Sequence, residues 1–300
     1  MEALRELGRL IARHTPPGSG GTWKNDALGL MFATVSYIPE PTQHVYQPVF
    51  ALVVQGEKQL MLGDEIFRCG QGSCIVVSVD LPLTFQISRA TSEQPYLALA
   101  MALKPAAVAS LLLEAATADR SPVFAEAVGM GVSDAPSELL DAVVRLARLL
   151  DHPRDLPVLA PIAEKEILWR LLCSEQGYRL RQIGLADSRL SQIGRAMRWM
   201  REHYGETLSI EELAHVAAMS VTSFHRHFRA VALMSPLQYL KQIRLQEARA
   251  RLLARAEDVA SVGHAVGYES PSQFSREYKR AYGAPPGQDA RLLRASNSKS

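Results

Sequence analysis

Residues 220–228, Ser-Val-Thr-Ser-Phe-His-Arg-His-Phe, and residues 270–278, Ser-Pro-Ser-Gln-Phe-Ser-Arg-Glu-Tyr, are two writings of one pattern. Phe224, Arg226 and Phe228 return 50 positions later as Phe274, Arg276 and Tyr278, and Ser235-Pro236 returns as Pro285-Pro286. Just upstream, Ile210, Leu213, Ala214, Ala218 and Met219 return as Val259, Val262, Gly263, Gly267 and Tyr268, now 49 positions later. The offset changes by one residue in the turn between two short elements, where an insertion costs least. The stretch 208–286 is a duplicated helix–turn–helix.

Local chemistry supports each unit. Ser209 with Glu212 forms a capping box, so a helix begins near Ile210. Ser220 caps a second helix, in which Phe224 and Phe228 lie one turn apart on the core side. Ser270 followed by Pro271 is a cap plus a proline at the first helical position, where its missing N–H costs nothing. Ala214 and Gly263 are small enough for two helices to cross closely. Between the units, residues 237–254 place Leu240, Ile243, Leu245, Ala248 and Leu252 among Gln, Arg and Glu, which predicts one amphipathic connecting helix. Two recognition helices held this way are able to enter successive major-groove segments about 34 Å apart.

On these residues the chain resembles the AraC/XylS family of transcriptional regulators. The match is carried by Ala214, Met219-Ser220, residues 224–228, Ser235-Pro236, Tyr239-Leu240, Arg244-Leu245, Ala248, Gly267-Tyr268, residues 274–276 and Pro285-Pro286. The family usually has glycine where Leu233 stands, and the second unit keeps it as Gly283. A leucine in a left-handed C-cap is strained by about 1 kcal/mol. The resemblance implies sequence-specific binding of double-stranded promoter or operator DNA, a homodimer, and contact with RNA polymerase if the protein activates.

Charge divides the chain in the same sense. Residues 1–188 carry 16 Lys/Arg against 21 Asp/Glu, whereas residues 189–300 carry 17 against 10. A basic half beside an acidic one fits a nucleic-acid-binding domain joined to one with another task. Residues 1–14 read as an amphipathic helix rather than a signal peptide, and no apolar run reaches membrane-spanning length. A cytoplasmic protein without membrane association is expected.

From residue 29 to residue 103 the pattern has period two: Phe50, Leu52 and Val54; Leu60 and Leu62; Ile75 and Val77; Leu83, Phe85 and Ile87; Leu97, Leu99 and Met101. Gly56, Gly63-Asp64, Gly70 and Gly72 punctuate it, which predicts an antiparallel meander or small barrel. Residues 46–48, 54–58, 78–82 and 93–96 resemble the cupin-like sensor half of one AraC-type subgroup. Helices are expected over 105–117, 121–128, 137–150 and 157–175, then a polar boundary over 177–189. In the 157–175 helix, a stripe of Ile162, Trp169 and Leu172 is expected to contact a second copy. The fold class is thus α+β, with a cupin-like β-barrel and flanking helices over 1–180. An all-α double helix–turn–helix domain follows over 190–292.

The candidate DNA-binding residues are Thr222, Ser223, His225 and Arg226 in the first unit and Ser272, Gln273, Ser275 and Arg276 in the second. Arg presents a fork to guanine and Gln to adenine, while Ser and Thr reach bases or phosphates. Alternatively, some of these side chains contact only phosphate or solvent. The candidate effector pocket is Phe50, Leu52, Phe67, Val77, Phe85 and Leu99, an apolar lining suited to a small, largely uncharged organic molecule.

No catalytic set, metal site or cofactor is implied. His225 and His227, two apart on a helix, point to different faces, and His44 stands alone in the barrel region. Cys69 and Cys74 flank a turn, as a redox or electrophile-sensing pair or as two small buried apolar residues. A methyl-acceptor DNA-repair protein would need a cysteine cluster, and a cupin enzyme a metal set. The three cysteines and sparse histidines favour neither over a regulator.

Overall fold

The computed structural model describes residues 2–15, 21–25, 28–115, 128–254 and 258–297. The helix expected over 121–128 falls almost wholly outside these residues. The chain divides into two compact units, one formed by Met1–Gly194 with Ala230–Leu233 and the other by Arg195–Arg229 with Met234–Ser300.

The first unit opens with α1 (Glu2–His14), whose Leu4, Leu7, Leu10 and Ile11 are buried at helical spacing. Nine strands follow: β1 (Gly21–Asn25), β2 (Leu30–Val35), β3 (Thr42–Tyr46), β4 (Val49–Gln55), β5 (Glu57–Leu62), β6 (Glu65–Cys69), β7 (Ser73–Val77), β8 (Leu81–Arg89) and β9 (Tyr96–Ala102). Then come α2 (Pro105–Ala115), β10 (Met130–Asp134), α3 (Ser137–Arg148), α4 (Leu156–Leu172) and α5 (Gly177–Gly184).

Among the described residues the strands pair antiparallel in two sheets, ordered β1-β2-β9-β4-β7-β10 and β3-β8-β5-β6, and the ladders do not close into a barrel. One of the crossings between the sheets lies at Gly56, between β4 and β5. The β4 register shifts between Val53 and Gln55, and Gly56 takes φ +81° where a Cβ would lie 2.6 Å from the Arg89 carbonyl. Only glycine fits that turn, which carries the chain from one sheet into the other.

Register assigns the faces. Phe50, Leu52, Val76, Leu99 and Phe32 share the side of the six-stranded sheet that packs against Leu7 and Ile11 of α1, Val143 of α3 and Ile167 and Leu171 of α4. Ala51, Val53, Ile75, Val77 and Ala98 occupy its other side and are also buried. The four-stranded sheet contributes its own buried row of Leu60, Leu62, Cys69, Leu81, Leu83 and Ile87.

Two expectations change. Residues 177–184, expected as polar boundary, form α5, with Leu180 and Ile183 in the core. A Cβ on Gly177 would collide with the Leu172 carbonyl, so that glycine serves close approach rather than looseness. The stripe on α4 also splits. Ile162 and Trp169 are exposed, at 61% and 39%, but Leu172 is buried in the core at 4%.

The second unit is helical: α6 (Arg189–Glu202), begun in the first unit, then α7 (Ile210–Val216), α8 (Val221–Ala232), α9 (Pro236–Ala254), α10 (Val259–Ala265), α11 (Pro271–Tyr282) and α12 (Pro286–Asn297). Phe224, Phe228 and Tyr239 stack edge-on at 5.4 and 5.3 Å between α8 and α9. Phe274 and Tyr278 repeat the arrangement at 5.6 Å in a core with Leu245, Leu252, Val262 and Val266.

Both tight turns and both C-caps use left-handed residues. Gly267 and Gly283 adopt φ 87° and 78°, and their first-unit counterparts Ala218 and Leu233 are forced to 53° and 55°. Ala218 is exposed, so its strain has no packing to offset it. Ala218→Gly is expected to raise the stability of the helical unit by about 0.5–1 kcal/mol, read as an increased Tm in thermal unfolding.

Candidate nucleic-acid interface

Each recognition helix is set by its caps. Ser209 Oγ accepts from the Glu212 N–H at 3.1 Å while Glu212 Oε2 accepts from the Ser209 N–H at 3.0 Å, closing the box before α7. Asp258 caps α10 by accepting from the N–H groups of Ala260 and Ser261 at 3.1 and 3.2 Å. Ser220 and Ser270 accept, at 3.4 Å each, from the N–H three residues on and so start α8 and α11 in the same frame.

That common frame turns matching residues to the surface. Phe224, Phe228, Phe274 and Tyr278 are fully buried, so the opposite faces of α8 and α11 look outward. Thr222, His225 and Arg226 are exposed and Ser223 is half-buried. In α11, Ser272, Gln273 and Arg276 are exposed and Ser275 is half-buried. His227 is only 4% exposed, whereas His225 is exposed on another side of α8, so the two histidines do not converge. Among the described residues, no group of three or more His, Cys, Asp or Glu side chains is placed to hold a metal ion.

The second helix–turn–helix is locked by side chains that sequence spacing did not single out. Arg244 of α9 donates to three main-chain carbonyls: Tyr204 at 2.8 Å, Glu206 at 2.8 Å and Gly267 at 3.0 Å. A Cβ on Gly267 would sit 2.8 Å from the Arg244 Nη2, a second reason for glycine in that turn. Arg249 pairs with the buried Asp289 through two bonds of 2.9 and 3.1 Å, and Tyr278 donates to the same carboxylate at 2.8 Å. Glu277 accepts from Tyr268 at 2.9 Å and Gln273 at 3.4 Å and faces the Lys241 ammonium at 3.2 Å. Burial alone would raise the Glu277 carboxyl, but these three partners hold it below its ordinary value. Gln273 is thereby tethered along its own helix. In the sequence, Arg244 figured only as one of the residues carrying the family resemblance, and neither resemblance nor spacing specifies three carbonyl partners.

The family described as AraC-type transcriptional regulator N-terminus matches residues 27–179, and a helix-turn-helix domain family matches residues 213–291. The chain belongs to the AraC-type transcriptional regulators. It is 31% identical over 111 residues to the HTH-type transcriptional activator RhaS of Enterobacter sp. (strain 638), covering 35% of this chain and 39% of that protein. It is 28% identical over 161 residues to a probable thc operon regulatory protein of Rhodococcus erythropolis, covering 51% and 48%. The chain thus spans under half the length of these two curated relatives. The fold is also that of ToxT from Vibrio cholerae O395, solved bound to (E)-4-(8-methylnaphthalen-1-yl)but-3-enoic acid. That likeness has a TM-score of 0.56 at 10% identity and covers 87% of this chain and 97% of that one.

In this AraC-type chain, the six candidate pocket residues do not share one surface. Phe50, Leu52 and Leu99 lie in the core shared with the helices. Val77 pairs with Val49 and so points to the opposite side of the same sheet. Phe67 and Phe85 flank Leu60 on the four-stranded sheet and are half-buried. Cys69 and Cys74 are likewise apart, one on each sheet. Burial pushes the Cys69 thiol up to about 11 and the Cys74 thiol up to about 12, so both stay protonated near neutrality.

Arg244→Met is expected to remove three charge-assisted bonds and destabilise the helical unit by about 2–4 kcal/mol, measured by chemical unfolding. A change below about 0.5 kcal/mol would show that those carbonyls are satisfied without it.

Proposed function

We propose that this chain is a promoter-binding regulator that reads DNA through α8 and α11 and responds to a small organic molecule held in its N-terminal half. The observation that carries the reading is the pair of outward faces in one frame: Thr222, His225 and Arg226 on α8, and Ser272, Ser275 and Arg276 on α11. An arginine and small hydroxyl residues on each of two helices suit base edges and adjacent phosphates in successive major-groove segments. Ser223 and Gln273 flank those faces. On this reading residues 1–180 sense and dimerise, residues 190–292 bind DNA, and the protein works in the cytoplasm without catalysis or cofactor. It would contact RNA polymerase if it activates.

A homodimer is proposed on the exposed face of α4. Val158, Ile162 and Trp169 are 66%, 61% and 39% exposed there, and they replace the buried Leu172 as the stripe available to a second copy. Ile162→Glu is expected to lower the light-scattering mass towards monomer with unfolding unchanged; an unchanged mass would exclude this face.

DNA binding is tested on fragments the purified protein retains from its own genome. Arg226→Ala and Arg276→Ala are each expected to weaken binding by about 1–3 kcal/mol and relax base preference at separate positions about one helical turn apart. If both variants lose affinity equally for operator and random DNA, the arginines clamp phosphate and do not read bases.

A further inference from the structure

One cation in the first unit stands where the alternation calls for an apolar residue. Lys58, Leu60 and Leu62 alternate along β5 on its buried face, and Lys58 is only 8% exposed. It lies directly across from Cys69 on β6 and Ile87 on β8, both buried, so its side chain shares their side of the four-stranded sheet. Among the described residues its ammonium makes no hydrogen bond or ion pair; burial lowers its pKa, and the Cys69 thiol is the one neighbouring group that opposes this. That thiol stays protonated near neutrality and supplies no negative charge. A lysine with its stem buried and no counter-ion is costly, and its ammonium is not among the side-chain atoms sealed from solvent, so a ligand is able to reach it.

The surroundings suit a ligand. Tyr46 of β3 and Tyr96 of β9, one from each sheet, are electrostatically coupled to Cys69 and to each other, which brings two phenol groups to the same region. Burial raises both phenols, so they remain hydroxyl donors. On the six-stranded sheet, the face that carries Tyr96 sets Ala33 opposite Ala98 and Ala51 opposite Ala100, while Val53, Ile75, Val77 and Met130 stand on the same face. Sheets stack about 10 Å apart, and alanine at four adjoining positions of β2, β4 and β9 fills less of that depth than a larger side chain would. Phe67 and Phe85, beside Leu60, remain half-buried, which offers an apolar wall that solvent still reaches.

We propose that the space between the sheets binds a small monocarboxylate with an apolar body, its carboxylate on the Lys58 ammonium and its body against Leu60, Phe67 and Phe85. This rests on the effector reading above and replaces the largely uncharged effector expected from sequence. A single ammonium matches a single negative charge. A phosphate dianion would be left half-compensated in a buried site, so a monoanion is favoured. The tyrosine hydroxyls supply donors for the second carboxylate oxygen.

The test uses the full chain, with benzoate, phenylacetate and octanoate each set beside its matched alcohol, and inorganic phosphate as a control. Calorimetric titration and thermal unfolding are the readouts. At least one carboxylate is expected to bind and raise Tm, its alcohol to bind about tenfold or more weakly, and phosphate to do neither. Lys58→Met, similar in length and uncharged, is expected to erase the preference for carboxylate over alcohol and to unfold at higher temperature than wild type when no ligand is present. The proposal is overturned if carboxylate and alcohol bind alike, if Lys58→Met keeps the preference, if Lys58→Met lowers Tm, or if no carboxylate binds wild type. Alcohols binding alone would keep the effector reading and remove the anion. The regulator reading stands or falls separately on DNA retention.

Discussion

The helical unit depends on the guanidinium of Arg244. Its three donors reach the carbonyls of Tyr204, Glu206 and Gly267, so one side chain on the connecting helix fixes both the segment entering the first helix–turn–helix and the turn of the second. A main-chain carbonyl at a turn has no helical partner of its own, and a planar fork satisfies several at defined angles where an ammonium cannot. Farther along α9, Arg249 repeats the device on a carboxylate, joining Asp289 of α12 to Tyr278 of α11. The spacing of the two recognition helices is therefore held by charged side chains on a rigid rod. The aromatic pairs Phe224–Phe228 and Phe274–Tyr278 set how each helix is rolled.

The two units treat their strained positions differently from their repeats. The second copy places glycine at both left-handed residues, whereas the first places Ala218 and Leu233 there at the same sign of φ. The geometry is common because a tight turn and a helix exit require it, whichever residue occupies the site. The first copy carries that cost and keeps the fold, because the turn and the helix exit fix the backbone whichever residue stands there.

In the β unit, the two sides of the six-stranded sheet have separate work. One side is filled by Phe50, Leu52, Leu99 and the helices and behaves as an ordinary core. The other carries alanines and Tyr96, and the facing sheet offers Lys58 and half-buried aromatics. The proposed ligand is assigned to the second side, because the first is filled by the helices.

Much of the helical unit was legible in the chain alone. The repeat of Phe224, Arg226 and Phe228, the Ser209–Glu212 box and the apolar spacing of the connecting helix are local signals, set by propensity, caps and period, and the structure keeps each of them. The alternation from residue 29 to residue 103 likewise determined strands and their burial. Local pattern could not say which strand pairs with which, because pairing depends on where a glycine such as Gly56 lets the chain change sheets. It therefore grouped Phe50 and Val77 as one lining, although their register sets them on opposite sides of a sheet. It could not place the end of α4 either: Ile162 and Leu172 share a stripe in sequence, but the core closes over only one of them. Lys58 figured in the sequence only within the resemblance run 54–58, and only strand register decided that it is buried beside Cys69 and Ile87. Period and composition report what a residue prefers; long-range contact alone settles what surrounds it.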